Sequence, residues 1–326
     1  MALHHRLTFA LTTLAVTLAG CGAPGLAPQP TQLQGGFEAY AKSLSAKTIS
    51  TPIGQITLGL HPEPKGMRTE EDRLPTFEAE LGMPEFDILR KKGGGSPGKA
   101  DLRRYFPPAR NQGSLGSCSA FAATGMMEAV LNIQGKKAPH LSELFFYYAE
   151  REQMEKDGLV PKATKRDTGA FMFVASQAAV RFGSLPEKEV PYRTGKAALA
   201  YDATAEQYEA AKAFKFAKRK RVKTVKGIKS ALDQKKPVLM GIHLYQSFMT
   251  KTVARSGEVP MPMKGEQSVG GHAVVAVGYD DSKEAFIMRN SWGADWGDKG
   301  YFYMPYGYYE TQTNGQFYYG DCWVLD

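Results

Sequence analysis

A mainly apolar segment follows directly on a stretch rich in Gly and Ser. Asn111-Gln112-Gly113-Ser114-Leu115-Gly116-Ser117 reads as a loop, and Cys118 opens a segment carrying Ala120, Phe121, Ala122, Met126, Met127, Val130, Leu131 and Ile133. That segment predicts roughly four turns of buried helix beginning at Cys118. Leu141 to Ala149, dense in aromatic residues, predicts a second helix packed on the first, and Phe173 to Phe182 a third. From Pro237 the period changes. Val238 to Leu244, Ala273 to Tyr279, Ala285 to Arg289, Tyr301 to Met304 and Cys322 to Leu325 are short apolar runs separated by turns, the pattern of an antiparallel, barrel-like half. The expected fold class is therefore α+β, with a helical half over about 112–210, a β half over about 211–326 and a cleft between them.

Two of the β runs place chemistry. His272 opens the run that ends at Tyr279, and Asn290 follows the run that ends at Arg289. The polar stretch Asp280-Asp281-Ser282-Lys283-Glu284 between them has hairpin length, so His272 and Asn290 fall at the same open end of one hairpin. A histidine base and an amide to orient it, well downstream of a cysteine at a helix start, make a candidate nucleophilic site. The helix terminus favours the thiolate of Cys118, and the Gln112 amide upstream can donate to an oxyanion beside the sulfur.

Three blocks then carry a resemblance. Gln112-Gly113-Ser114-Leu115-Gly116-Ser117-Cys118, Gly271-His272-Ala273-Val274, and Asn290-Ser291-Trp292-Gly293 with Trp296-Gly297-Asp298-Lys299-Gly300-Tyr301 resemble the papain (cathepsin-like, C1) family of cysteine peptidases, of a bacterial lipoprotein type. The likeness runs from about residue 100 to the C-terminus. It implies the papain-like two-lobed fold, helical lobe against β-barrel-like lobe, with the active site in the cleft. It also implies a Cys118 thiolate and His272 imidazolium pair, with the thiol pKa brought from about 8.5 to as low as about 3–4. Asn290 would orient the imidazole, Trp292 would shield that bond from water, and Gln112 with the Cys118 backbone N–H would hold the oxyanion. Gly169 and Ala170, similar to the family's paired glycines, would bind extended substrate by backbone hydrogen bonds, and Gly271 and Trp292 complete the expected substrate-binding set. Leu115 stands where many relatives carry a disulfide-bonded cysteine, and Ser119 where they carry Trp.

The N-terminal third has another composition. His4, His5 and Arg6 precede an apolar run to Gly20, which reads as an export signal over residues 1–20. Leu18-Ala19-Gly20-Cys21 resembles a bacterial lipobox, which makes Cys21 the expected lipid attachment site. Residues 22–36, rich in Pro, Gln and Gly, read as a tether, and Gly93-Gly94-Gly95-Ser96-Pro97-Gly98 as a hinge. Between them Phe37 to Ala46 and Phe77 to Leu89 are candidate short helices. Since papain-like enzymes commonly carry an inhibitory pro-segment, residues 21–99 are either a lipid-anchored tether or a pro-region cut near the hinge.

Composition changes the picture little. The 326 residues are 43% hydrophobic, enough for a real core, and three cysteines cannot build a disulfide framework. A net charge of +8 is concentrated over 212–236, including Lys215, Lys218, Arg219, Lys220, Arg221, Lys223 and Lys226; it reads as a solvated face or, given a lipid anchor, a contact for anionic headgroups. No nucleic-acid module is visible, and nothing calls for a cofactor or a metal. His140, His243 and Cys322 read as structural residues. The expected protein is a monomeric thiol endopeptidase acting on polypeptide, membrane-held through Cys21 at a bacterial cell envelope, on its periplasmic or outer face, or otherwise secreted. An inactive envelope-binding scaffold is the rival, and a cell-wall peptidase a third reading.

Overall fold

A computed structural model describes residues 36–52, 54–63, 76–80, 98–311 and 321–326. The chain divides into Met1–Gln32, which lies wholly outside the described residues, and Leu33–Asp326, to which everything below refers. The signal, the lipobox with Cys21, most of the tether and hinge residues 93–97 are likewise outside them.

An N-terminal arm holds helix α1 (Gly36–Ser43), a hairpin of β1 (Lys47–Thr51) and β2 (Gly54–Leu58), the short strand β3 (Leu60–His61) and a turn of helix α2 (Phe77–Glu80). Strand β4 (Lys99–Asp101) then leads to the long helix α3 (Cys118–Ile133), α4 (Glu143–Lys156), β5 (Ala170–Phe171) and α5 (Met172–Arg181). After α6 (Gly195–Leu199) and α7 (Ala205–Ala211) the chain becomes mainly strand: β6 (Arg219–Val222), α8 (Val225–Asp233), β7 (Val238–Tyr245), α9 (Lys251–Ser256), β8 (Ser268–Asp280), β9 (Ala285–Arg289), β10 (Tyr301–Pro305), α10 (Tyr306–Thr311) and β11 (Cys322–Leu325).

The helical lobe is built on α3, buried on every face over its first three turns, with α4 and α5 packed against it. A helix apolar all round belongs in a core, and this one lies between the other helices and the sheet, touching β7 and β8. A Cβ on its Gly125 would lie 2.5 Å from the guanidinium of Arg289, which passes under the helix from β9 to the carbonyls of Pro107 and Pro108 and would have to shift. The other lobe is an antiparallel sheet in the order β10-β9-β8-β7-β11-β6. Its central strands β7 and β8 are nearly all buried, because α3 covers one face and α8 packs against them as well. This is the expected two-lobed α+β architecture.

The hairpin that was to bring His272 and Asn290 together forms as expected. β8 pairs with β9 from Val275↔Arg289 to Asp280↔Ala285, and the polar turn closes it with Glu284 at φ +49°.

The arm is not a bystander. α1 and the β1–β2 hairpin lie by the segment before β5, where Ala46 N–H donates to the Asp167 carbonyl. β3 then pairs parallel to β5 and antiparallel to β8, with Leu60 between Ala170 and Gly271. Beyond it Glu63 meets Arg221 at 3.0 Å, and the Glu78 carboxylate accepts the N–H groups of Lys223 and Thr224 at the start of α8. Part of the basic stretch thus faces carboxylates of the same chain, while Lys215, Lys218 and Lys223 are exposed.

Candidate active site

Cys118 is the first residue of α3, as the loop-to-helix pattern predicts. The preceding Ser117 makes no side-chain cap to its own helix, so first-turn N–H groups remain for the sulfur. Backbone N–H groups of Ala273, Gly59 and Ser119 face it. Ala273 follows His272 on β8, and this places the imidazole strand at the nucleophile.

His272 Nε2 donates to Asn290 Oδ1 at 2.8 Å. The same oxygen accepts the Ser291 N–H at 2.8 Å, a group that can only donate, so the orientation of the amide is settled. Nε2 therefore carries the ring proton and Nδ1 is left unprotonated, with no hydrogen-bond partner among the described residues. The Trp292 ring lies against the imidazole at 4.9 Å between centroids, and Phe248 and Trp296 pack behind it. These rings keep water from the His272–Asn290 bond. Trp292, expected also among the substrate-binding residues, is buried in that aromatic cluster.

Gln112 is held from three sides. Its Oε1 accepts the Ser291 hydroxyl at 2.6 Å, its main-chain N–H donates to the Ser291 carbonyl, and its Nε2 donates to Leu115 O at 3.0 Å and Thr57 O at 2.9 Å. The last of these contacts comes from the arm. Thr57 to Leu60 lie along the groove: Thr57 at the Gln112 amide, Gly59 at the sulfur, and Leu60 between Ala170 and Gly271, with Ala170 N–H donating to Gly59 O at 2.7 Å. Ala170, where the family pattern has Gly, meets the strand through its backbone N–H, so its methyl group does not interfere. The fit at Gly59 admits no side chain, because a Cβ would sit 1.9 Å from the Gly116 carbonyl oxygen.

This cover bears on the charge state of the pair. Cys118 and His272 are both 0% exposed. Burial pushes the thiol up to about 11, outweighing the backbone N–H groups that favour thiolate. Burial likewise takes the imidazole down to about 4, against the bond to Asn290 that favours its charged form. In the covered groove burial thus favours the neutral thiol and the neutral imidazole, and no hydrogen bond joins Nδ1 to the sulfur. Removing both side chains from water penalises both charges, and the helix terminus does not compensate.

Behind the nucleophile lies a carboxyl that sequence reasoning missed. Glu150 on α4 is fully buried, accepts the Ser119 hydroxyl at 2.6 Å and is pushed up to about 8 by burial. Asp167 also went unnoticed: its carboxylate accepts the Gly116 N–H and the Tyr147 hydroxyl, and that hydroxyl accepts the Gly169 N–H. It ties the nucleophile loop to the opposite wall of the groove beside Leu115, where no disulfide does so. The rivals stay out of the site. His140 pairs with Glu143, His243 bonds Ser268, and Cys322 is a buried free thiol beside Tyr309, unbridged to Cys118.

Comparison with known proteins identifies relatives of this fold. The family model for papain family cysteine proteases matches residues 96–320. An uncharacterized peptidase C1-like protein of Acanthamoeba polyphaga mimivirus is 33% identical over 225 residues, 66% of this chain and 68% of its own length. Mouse cathepsin K is 27% identical over 284 residues, 81% of this chain and 78% of its own. Among solved structures, xylellain, a cysteine protease from Xylella fastidiosa, superposes with a TM-score of 0.66 at 26% identity, covering 86% of this chain and 97% of that one.

Proposed function

The chain belongs to the papain family of cysteine proteases, and from that premise we propose that it is a thiol endopeptidase for extended polypeptide, held shut by residues 54–61 until they are displaced. The reading rests on one observation: the side chain of Gln112, the sulfur of Cys118 and the strand carrying His272 all converge on the path of a single extended segment, Thr57 to Leu60.

With the groove open, water returns to both side chains and their mutual attraction favours thiolate and imidazolium. The Cys118 sulfur attacks the substrate carbonyl carbon, and the oxygen takes the negative charge. The Gln112 amide and the Cys118 N–H hold that oxyanion. His272 Nδ1 gives its proton to the leaving amine as the C–N bond breaks, leaving a thioester. The same nitrogen then takes a proton from water, which attacks the thioester and frees the acid and the thiolate. Asn290 keeps the ring aimed throughout. A protein that only binds has no use for all four groups together, which disfavours the scaffold reading.

The covering segment escapes this chemistry for a geometric reason. Its carbonyl on the Gln112 amide belongs to Thr57, whereas the group at the sulfur is the N–H of Gly59. Cleavage needs one carbonyl to meet both. The Gln112 amide takes the Thr57 carbonyl rather than that of Leu58, whose peptide turns its N–H to the sulfur, so the segment fills the site without placing one carbonyl on both groups, and residues 21–99 act as a pro-region. Anchoring through Cys21 at a bacterial envelope is part of the same proposal, supported by the sequence Leu18-Ala19-Gly20-Cys21.

Labelling with a thiol-directed epoxide, repeated on Cys118→Ala, tests the nucleophile, and a peptide library then profiles cleavage. Once residues 54–61 are displaced, the protein with Cys118 should label and cleave, and the variant should do neither. Cleavage persisting in Cys118→Ala overturns the reading.

A further inference from the structure

Tyr192, on the segment between α5 and α6, touches none of the reacting groups, yet its hydroxyl lies between the two ends of the nucleophile loop. It donates to the main-chain carbonyl of Gln112 at 2.7 Å and stands 2.7 Å from the hydroxyl oxygen of Ser117. One end of that loop carries the Gln112 amide. The other carries the Ser117–Cys118 peptide, whose N–H is the second donor to the oxyanion. Between them Gly113, Ser114 and Gly116 supply little rigidity of their own.

Two details mark the contact as more than incidental. A serine just before a helix ordinarily gives its oxygen to a first-turn N–H, but Ser117 makes no such bond and pairs with Tyr192 instead. The phenol ring is itself fixed by α3, meeting Phe121 edge to face at 4.9 Å. Gln112 and Ser117 are fully buried, so water does not replace this tie if it is lost.

We infer that Tyr192 is a positioning residue that sets the spacing of the two oxyanion donors. The inference rests on the peptidase reading above and adds to it. Donors stabilise an oxyanion only when held about 2.7–3.1 Å from where the charge will form, and slack of an ångström is enough to weaken both. The hydroxyl fixes Gln112 to Ser117 directly, across the flexible residues.

Tyr192→Phe removes that hydroxyl and keeps the ring contact with Phe121. The full-length chain and its Gly59→Val variant, each with and without Tyr192→Phe, are compared with three probes. A peptide aldehyde forms a hemithioacetal whose oxygen occupies the oxyanion position. A peptide substrate reports kcat and KM, and iodoacetamide alkylates the sulfur without using the oxyanion donors. The expected result is an aldehyde Ki weakened about tenfold and kcat lowered about tenfold, less than the roughly 10²–10³-fold for losing a donor outright. KM and the iodoacetamide rate should stay within about twofold of their starting values, since neither depends on the spacing of the donors. Ser117→Ala should act in the same direction and add little to Tyr192→Phe. Equal aldehyde affinity with and without Tyr192→Phe, or an alkylation rate that falls as far as kcat, overturns the inference. A parent protein that binds no aldehyde and cleaves nothing, even with Gly59 replaced, overturns the peptidase reading and this inference with it.

Discussion

Thr57 gives its carbonyl oxygen to the side-chain amide of Gln112 at 2.9 Å, across fifty-five residues of sequence. The amide proposed to receive a substrate oxyanion is therefore already engaged by the chain itself. Everything that holds Thr57 there also holds the site closed, and Gly59 is the narrowest point, between Gly116 and Gly169. A Cβ on Gly169 would in turn meet the Gly59 carbonyl oxygen, and Gly169 has φ +70°, so both walls of the slot are glycine for lack of space.

Replacing Gly59 by Val should open the groove. The added Cβ would collide with backbone of Gly116, which cannot swing aside as a side chain does. The expected outcome is epoxide labelling of Cys118 at least about tenfold faster than in wild type, corresponding to about 1.4 kcal/mol against the closed form. Equal rates in the two full-length proteins would show that the segment does not limit access.

Alkali should also favour opening. Covered, burial pushes the Cys118 thiol up to about 11 and keeps His272 neutral, so the closed pair holds its one proton on sulfur up to that pH. Open, the same proton sits on the imidazolium of the ion pair, which gives it up at lower pH than the covered thiol does. As pH rises toward 11 the open form loses the proton first, so deprotonation draws the equilibrium toward it. The check is the ratio of labelling rates, wild type to Gly59→Val, at pH 7 and 9.5: it should approach one at the higher pH. A ratio independent of pH would separate the titration of the pair from the opening step.

The site was more legible than its cover, and the reason is local. Cys118 lies at a composition break that marks a helix start, and the His272–Asn290 pairing follows from two apolar runs and a polar turn close in sequence. Gly54 to His61 offers no such signal. The segment is short and sits between stretches rich in Pro, Gly and charge, while its partners Gln112, Ala170 and Gly271 lie far along the chain. Strand pairing of this kind depends on a groove that exists only after both lobes have formed. Tyr192, Glu150 and Asp167 were hidden for a related reason, since each acts through a tertiary contact that no spacing in the sequence announces. The effect of cover on the charge state was not legible because the helix terminus is readable in sequence and the burial that opposes it is not.

Glu150 should make stability fall as the medium becomes alkaline. Its carboxyl titrates at about 8 in the fold against 4.5 as an ordinary glutamate, because burial penalises the charged form. Its contribution is complete below pH 4.5 and is lost as pH rises through 8. Glu150→Gln retains an acceptor for the Ser119 hydroxyl and removes the titration. The melting temperature of the variant should therefore exceed that of wild type by an amount that grows between pH 5 and 8, beyond the roughly 2–4 °C that about 1 kcal/mol produces in a protein of 150–250 residues. A constant difference across that range would mean that the carboxyl does not titrate there.

Arg110 holds the base of the nucleophile loop through two buried carboxylates, and removing it should cost more than a surface ion pair would. Its guanidinium donates to Glu143 on α4 at 2.7 Å and to Glu128 on α3 at 2.8 Å, and each acidic side chain is only 2% exposed. The pairing also reaches the other lobe, because the Arg110 carbonyl accepts the Gly293 N–H next to Trp292. Arg110→Met leaves Glu128 without its cation and Glu143 with His140 alone, and stranding a buried charge costs about 3–5 kcal/mol. Lys, a single point charge without the two-pronged geometry, should recover part of the loss. The deficit should shrink in acid, since Glu128 is held above its ordinary range by burial and takes a proton readily once Arg110 is gone. Thermal unfolding of the Met and Lys variants at pH 7 and pH 4.5 measures this directly. Three proteins melting together at pH 7 would show that the two carboxylates do not depend on Arg110.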